Sequence, residues 1–210
     1  MLRTTQFYLL WLMYAFAAGA GLMIISKLSK IATDQAGVSL GFLFVAVLAV
    51  GNGGGRILAG VISDRVGRTR MMLFCFIFQA GLITLLTQVT AGSFLATPAV
   101  LGIGSALMGA NYGANLSVFP SVTKDWFGVK NFGLNYGLVF TAWGVGGFIL
   151  SFVAGALYDS YHTFTPAYYL AAGLLMVAAV LAMIIRPPQI GKDVSRVQRG
   201  ARVVRPKRLY

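Results

Sequence analysis

The chain has 210 residues, of which 58% are hydrophobic and only 10% are charged. A soluble globular domain usually carries about 25% charged residues, so this composition excludes an ordinary soluble domain. Lys and Arg outnumber the acidic residues by 17 to 5, but most of them lie at the chain ends and between apolar runs. That distribution is typical of membrane topology and argues against a nucleic-acid partner. The single cysteine, Cys75, excludes an internal disulfide and a cysteine-based zinc cluster.

Six apolar stretches are each long enough to cross about 30 Å of hydrocarbon as a helix. They are Phe7–Ile25, Ser39–Ser63, Met71–Val89, Leu95–Phe119, Phe132–Tyr158 and Pro166–Ile185. The fold is therefore predicted to be all-α and integral to the membrane, with a six-helix transmembrane domain over residues 1–186. Residues 187–210 are predicted to form a basic, disordered tail.

The positions of the basic residues predict the orientation. The termini and alternate gaps together hold fourteen Lys and Arg residues, whereas the remaining gaps hold two, Lys27 and Lys30. The positive-inside bias places both termini in the cytoplasm, and we expect a multi-pass protein of the cell (inner) membrane. Lys30 and Asp34 are predicted to form an ion pair at a solvated helix end, because they are four residues apart.

The chain also contains a repeat. The second predicted helix ends in GVISD (Gly60–Asp64), and the fifth ends in GALYD (Gly155–Asp159), 95 residues later. Three helices separate the copies, which therefore face opposite sides of the membrane. A 3+3 inverted repeat of this kind is typical of secondary transporters.

The segment between the second and third predicted helices carries a recognisable motif. Its sequence, GRILAGVISDRVGRTR, resembles the loop signature of the major facilitator superfamily, G-x-x-x-D-R-x-G-R-x-R. The matching residues are Gly60, Asp64, Arg65, Gly67, Arg68 and Arg70. The resemblance implies that this loop holds one access state closed and that the chain matches the second half of a twelve-helix fold. The stretches NYGAN, VFPSVTKDWFG and NYGLVFTAWGVGG resemble the oxalate/formate antiporter family in particular.

Arg56 is the charged residue inside a predicted span. It lies eight residues before Asp64, about 12 Å along the helix and close to the bilayer midplane. An arginine at that depth needs a polar cavity and a partner. No acidic residue of the sequence lies at that depth, so we expect either a carboxylate from a missing half or an anionic substrate. The alternative is a structural arginine that binds backbone carbonyls.

Other polar side chains are predicted near the level of Arg56. Asn52 shares its helix face, Tyr112 and Asn115 interrupt an apolar span, and Trp143 belongs to an aromatic stripe with Tyr136 and Phe140. For Tyr112 and Trp143, pocket lining and simple helix packing both remain open. The predicted substrate-binding residues are Arg56, Asn52, Tyr112, Asn115 and Trp143. The resemblance implies a second cation on the penultimate helix of oxalate carriers, but the matching segment FTAWG offers Trp143, which favours a monocarboxylate.

These observations predict a transporter of small carboxylate anions that works by anion exchange, without a cofactor or metal. An intramembrane serine protease is excluded, because it needs a histidine at membrane depth and the one histidine, His162, is predicted in a loop. The expected partners are a carboxylate anion, the lipid bilayer, and a complementary six-helix half or a second copy. The alternatives are a truncated or non-transporting fragment, and half of a proton-coupled monocarboxylate symporter.

Overall fold

The computed structural model describes residues 1–188, which form six long α-helices and, within that range, no β-strand. The helices are α1 (Thr5–Lys30), α2 (Gly41–Val66), α3 (Arg68–Leu85), α4 (Pro98–Phe127), α5 (Phe132–Tyr161) and α6 (Thr165–Ile184). A π-helical turn, Ile31–Gln35, extends α1, and two short 3-10 turns lie between α3 and α4. The prediction of six helices is confirmed. The predicted tail lies outside the described residues, apart from its first two.

Five of the helices are long and apolar enough to cross a membrane: α1 with its extension, α2, α3, α5 and α6. The exception, α4, has 30 residues and would reach about 45 Å, but it contains several polar residues. Asn111 and Asn115 of α4 are buried against neighbouring helices and not exposed to the surroundings. Its lower hydropathy therefore fits a helix that other helices enclose.

The helices pack in three pairs. α2 packs mainly on α4, α1 on α5, and α3 on α6. In a repeat of two three-helix units, α1 corresponds to α4, α2 to α5 and α3 to α6. The pair α2–α4 then corresponds to the pair α5–α1, and the pair α3–α6 corresponds to itself. This is the contact pattern of the predicted inverted repeat, in which each three-helix unit supplies one partner of every pair.

Glycines bring the paired backbones into close approach. A methyl group on Gly51 or Gly55 of α2 would overlap the backbone of Ala106 or Ala110 in α4. Likewise, a methyl group on Gly146 of α5 would overlap the backbone of Ala15 in α1. Small residues at helix crossings permit this approach in a membrane, where lipid supplies no hydrophobic drive for association.

The α2–α4 contact and the α1–α5 contact, which we call the two glycine seams, are related residue by residue. Gly146 lies 95 residues after Gly51, the offset seen between the GVISD and GALYD motifs, and Ala106 lies 91 residues after Ala15. A second pair of contacts follows the same offsets: Asn52 contacts Gly113, and Gly147, 95 residues after Asn52, contacts Leu22, 91 residues before Gly113. The internal repeat is therefore present in the packing and not only in the sequence.

We call the end of the bundle that carries Thr5 and the α2–α3 turn the near end, and the opposite end, with the π-helical turn, the far end. Of the five apolar helices, α2 and α5 are the least buried and α1 is the most buried. The exposed faces of α2 and α5 carry large apolar side chains such as Ile57, Phe148 and Phe152. Such faces require lipid or another protein surface as their partner.

Candidate functional site

Arg56 lies on the exposed face of α2, near the middle of the helix. Its Nε donates a 3.1 Å hydrogen bond to Oδ1 of Asn52, one turn away, so the predicted pairing of these residues on one face is confirmed. Within residues 1–188, no carboxylate lies at ion-pair distance from the Arg56 guanidinium. The site therefore presents a positive charge whose remaining donors are open to a ligand.

Three tyrosine hydroxyls lie within electrostatic range of Arg56. They belong to Tyr14 of α1, Tyr112 of α4 and Tyr136 of α5. Tyr14 is buried and stacks on Phe119 at 4.1 Å between ring centroids. Four helices thus contribute to the surroundings of one guanidinium, and a phenol hydroxyl can donate a hydrogen bond to an anion held there.

The aromatic stripe of α5 is continuous with this site. Tyr136 and Phe140 lie 5.5 Å apart, and Phe140 stacks on Trp143 at 5.2 Å between centroids. The Nε1 of Trp143 donates a 2.6 Å hydrogen bond to the hydroxyl of Tyr112, which joins α5 to α4. The structure thus brings Trp143 and Tyr112 into direct contact.

Asn115 occupies a different environment. It is buried, and its Nδ2 donates to the backbone carbonyl of Asn111, while its Oδ1 has no hydrogen-bond partner among the described residues. Asn111 in turn donates to Gln79 of α3 at 3.0 Å, and Gln79 donates to the carbonyl oxygen of Ala17 at 3.1 Å. This buried polar chain ties α4, α3 and α1 together, and Asn115 belongs to it.

The motif residues at the near end form an ion-pair cluster. Gly67 adopts a positive φ of 93°, which a residue without a Cβ adopts at no steric cost, and α2 turns there into α3. Arg68 then pairs with Asp64, donates to Ser63, and contacts Oδ2 of Asp125 at 3.1 Å. Arg68 therefore joins α2, α3 and α4.

The far end has its own polar network. Gln35 donates to the carbonyl oxygens of Leu86 and Val89 and accepts a 2.9 Å hydrogen bond from Tyr168. The predicted ion pair of Lys30 with Asp34 is wrong. Asp34 instead accepts a 3.1 Å hydrogen bond from Tyr158, and Lys30 lies 3.8 Å above the ring of that tyrosine. The π-helical turn at Ile31–Gln35 changes the spacing of side chains there, so the register of an ordinary helix does not apply.

Sequence reasoning missed Tyr14, Gln79 and Asp125. A tyrosine or glutamine inside an otherwise apolar span is the signal that could have identified the first two. Asp125 gives no such signal, because its partner Arg68 is brought to it by the packing of α3 and α4.

Metal-ligating side chains and an apolar cavity do not add to this site. Among residues 1–188, no three His, Cys, Asp or Glu side chains are grouped so that they could hold a metal ion. A cavity of about 100 Å³ toward the far end is lined almost entirely by apolar side chains, among them Phe44 and Leu101, so it offers no charge to an anion.

Comparison with known proteins assigns the family. The chain matches the Major Facilitator Superfamily over residues 7–209. It is 29% identical to the oxalate:formate antiporter of Oxalobacter formigenes over 204 residues, which cover 94% of this chain and 46% of that protein. It is 28% identical to an uncharacterized transporter of the same type, YhjX of Escherichia coli, over 69% of this chain and 35% of that protein. The chain thus spans less than half the length of these relatives. It is a multi-pass membrane protein that belongs to the Major Facilitator Superfamily.

Proposed function

We propose that this chain supplies one half of a carrier that exchanges small organic carboxylate anions across a cell membrane. The observation that carries the proposal is Arg56, a guanidinium on an exposed helix face at membrane depth with no carboxylate partner among residues 1–188. A guanidinium matches a carboxylate with two parallel hydrogen bonds. The similarity to an oxalate:formate antiporter gives independent support for the substrate class and for exchange.

The proposed substrate-binding surface consists of Arg56 with Asn52, Tyr112 and Trp143, and we add Tyr14 and Tyr136 to it. Asn115, the remaining predicted residue, belongs to the buried polar chain through its hydrogen bond to Asn111. The positive charge of this surface comes from one residue, because the candidate position on α5 is the neutral Trp143, whose N–H is bonded to Tyr112. A monocarboxylate such as formate, lactate or pyruvate fits one guanidinium better than a dianion does.

The opposite wall of the pathway comes from a complementary six-helix half or from a second copy. The exposed faces of α2 and α5, which include Arg56, need such a partner, and the relatives are more than twice as long as the part this chain matches. In this arrangement, the cluster Asp64–Arg68–Asp125 holds the near ends of α2, α3 and α4 together in one access state. We place the near end and both termini in the cytoplasm, as the distribution of basic residues predicts.

Exchange follows from the charge of the site. An empty carrier would have to move an uncompensated arginine through the change of access, whereas a bound carboxylate neutralises it. The test uses the assembled transporter in liposomes that are preloaded with labelled formate. Efflux should be slow into buffer without carboxylate and many times faster into buffer with formate or lactate, and oxalate should stimulate it less. Equal efflux in both buffers, with uptake driven by a pH gradient alone, would favour a proton-coupled symporter.

A further inference from the structure

A polar seam extends along the contact of α1 with α5, from the level of the Arg56 site toward the far end. Beyond the contact of Leu22 with Gly147, the hydroxyl oxygens of Ser26 and Ser151 lie 3.5 Å apart. One turn further on α5, the Lys27 ammonium lies beside Gly155, 3.7 Å from where a Cβ on that glycine would be. We call Ser26, Lys27, Ser151 and Gly155 the serine–lysine seam.

The inverted repeat relates this seam to Arg56. Ser151 lies 95 residues after Arg56, and each lies eight residues before the aspartate that ends its motif, Asp64 or Asp159. Ser151 therefore lies about 12 Å along α5 from Asp159 at the far end, just as Arg56 lies about 12 Å along α2 from Asp64 at the near end. The position on α5 carries no charge itself, and the nearby charge comes from Lys27 of α1.

Lys27 has no carboxylate partner within residues 1–188. The acidic groups nearest to it along the helices are engaged elsewhere or exposed: Asp34 accepts the hydroxyl of Tyr158, and Asp159 is exposed at the end of the motif. Lys27 is half-buried, whereas Lys30 is exposed. The Lys27 ammonium lies beside Gly155, one helical turn along α5 from Ser151, and a half-buried ammonium without a counter-ion matches the chemistry that recognises an anion.

The hydroxyl protons fit this interpretation. Ser26 donates to the carbonyl oxygen of Met23 at 2.9 Å, so its proton is engaged. The Ser151 hydroxyl oxygen accepts the long 3.5 Å contact from Ser26 and donates to no group among the described residues, which leaves its proton available for a ligand.

We propose that Lys27 and Ser151, with Ser26 beside Ser151, form a second anion-binding site on the far-end side of Arg56. The site takes the same small carboxylates as the Arg56 surface, so this inference rests on the proposed function. Gly155 lies twelve residues beyond Trp143 on α5, about 18 Å along the helix. A formate or lactate ion is too short to touch both places, and the carrier therefore uses the two sites in turn.

The test measures local charge and occupancy at Gly155. Cysteine is introduced there (Gly155→Cys) in a Cys75→Ala background, where the replaced thiol is buried, and is reacted with anionic and cationic thiol reagents. We expect the anionic reagent to react faster with this cysteine than the cationic one. The ratio of the two rates should fall about tenfold in Lys27→Gln, and formate should slow the reaction only when Lys27 is present. Lys30→Gln is the matched control and should leave the preference within about twofold.

Two outcomes overturn the site. One is an unchanged reagent preference in Lys27→Gln, which is expected if the ammonium reaches the lipid interface instead. The other is intact formate exchange without any protection of the introduced thiol. Protection by formate in a protein that exchanges no carboxylate would instead reject the proposed function and retain the site. As a second measurement, Lys27→Gln should raise the far-side formate concentration for half-maximal exchange by about tenfold.

Discussion

The indole nitrogen of Trp143 donates a 2.6 Å hydrogen bond to the hydroxyl of Tyr112, and this bond fixes a phenol beside the Arg56 guanidinium. The ring of Tyr112 lies so close to Gly21 of α1 that a methyl group on that glycine would overlap it. Helices α1, α4 and α5 therefore determine jointly where the Tyr112 hydroxyl points. Of the two alternatives that the sequence left open for these aromatic residues, this contact shows helix packing, and pocket lining stays a prediction.

A double-mutant cycle tests this relationship. Trp143→Phe removes this hydrogen bond, worth about 1 kcal/mol, and should raise the half-saturating formate concentration by about fivefold. Tyr112→Phe removes the same bond together with the hydroxyl proposed to face the anion, so its effect should be at least as large. The double variant should then be no worse than the poorer single variant, because the second substitution removes nothing further. Effects that multiply in the double variant would show that the two side chains act independently.

The glycine seam between α2 and α4 gives a stability prediction. Gly55→Ala places a methyl group onto the backbone of Ala110, and the two helices must separate. We expect a loss of about 1–3 kcal/mol in the free energy of unfolding, as for an overpacked core. Gly54→Ala is the matched control, since no atom lies within 4 Å of its added methyl group. Thermal unfolding in detergent measures both variants, and equal melting temperatures would contradict the seam.

The helices and their repeat could be predicted from sequence because both depend on local properties. A bilayer requires long apolar stretches, and the predicted spans overlap all six helices. The paired motifs that end at Asp64 and Asp159 also gave the offset of 95 residues that the glycine contacts follow. The helix ends were predicted less well: α4 continues to Phe127, because a helix that other helices enclose keeps its polar last turns.

The site could be predicted only where its residues share one helix. Asn52 and Arg56 are one turn apart, and their contact follows from helical spacing. The approach of Tyr14 to Arg56, and that of Asp125 to Arg68, depend on which helices pack together, which no single stretch of sequence specifies. Lys30 failed to pair with Asp34 because the helix widens locally after Lys30.

Arg68 and Arg65 form a matched pair for the near-end cluster. The Arg68 side chain is 17% exposed and contacts two carboxylates, whereas Arg65 is exposed and makes no ion pair among the described residues. Arg68→Gln should lower the free energy of unfolding by about 1–2 kcal/mol, because it leaves Asp64 and Asp125 without their cation. Arg65→Gln should change it by less than about 0.5 kcal/mol. Thermal unfolding at low and high salt checks the difference, which should shrink as salt screens the charges.

Orientation is tested with single cysteines in a Cys75→Ala background. Gln35 holds three hydrogen bonds, so the nearby exposed Ser39 is the better far-end probe, together with His162. Ser39→Cys and His162→Cys should react with a membrane-impermeant thiol reagent in intact cells, and Lys130→Cys should react only after the membrane is opened. The reverse pattern would place the termini outside the cell.

The charge of Arg56 gives the prediction on coupling. Among residues 1–188, the acidic residues 34, 64, 125 and 159 all lie at helix ends, so the described part of the chain places no acidic proton carrier at the depth of Arg56. Arg56→Gln should therefore abolish formate exchange. Arg56→Lys should retain part of it, because an ammonium keeps the charge but loses the two-pronged geometry.

Labelled formate efflux from liposomes that contain the assembled transporter measures these variants. Lys130→Gln is the control, because Lys130 is exposed and the variant has the same net charge as Arg56→Gln. Exchange in the control should match that of the unmodified protein. Because the neutral variant has no charge to compensate, the empty carrier should no longer be held back by an unpaired arginine. Exchange at the normal rate in Arg56→Gln would show that the guanidinium is a structural residue, and a carboxylate-binding role for it would then be wrong.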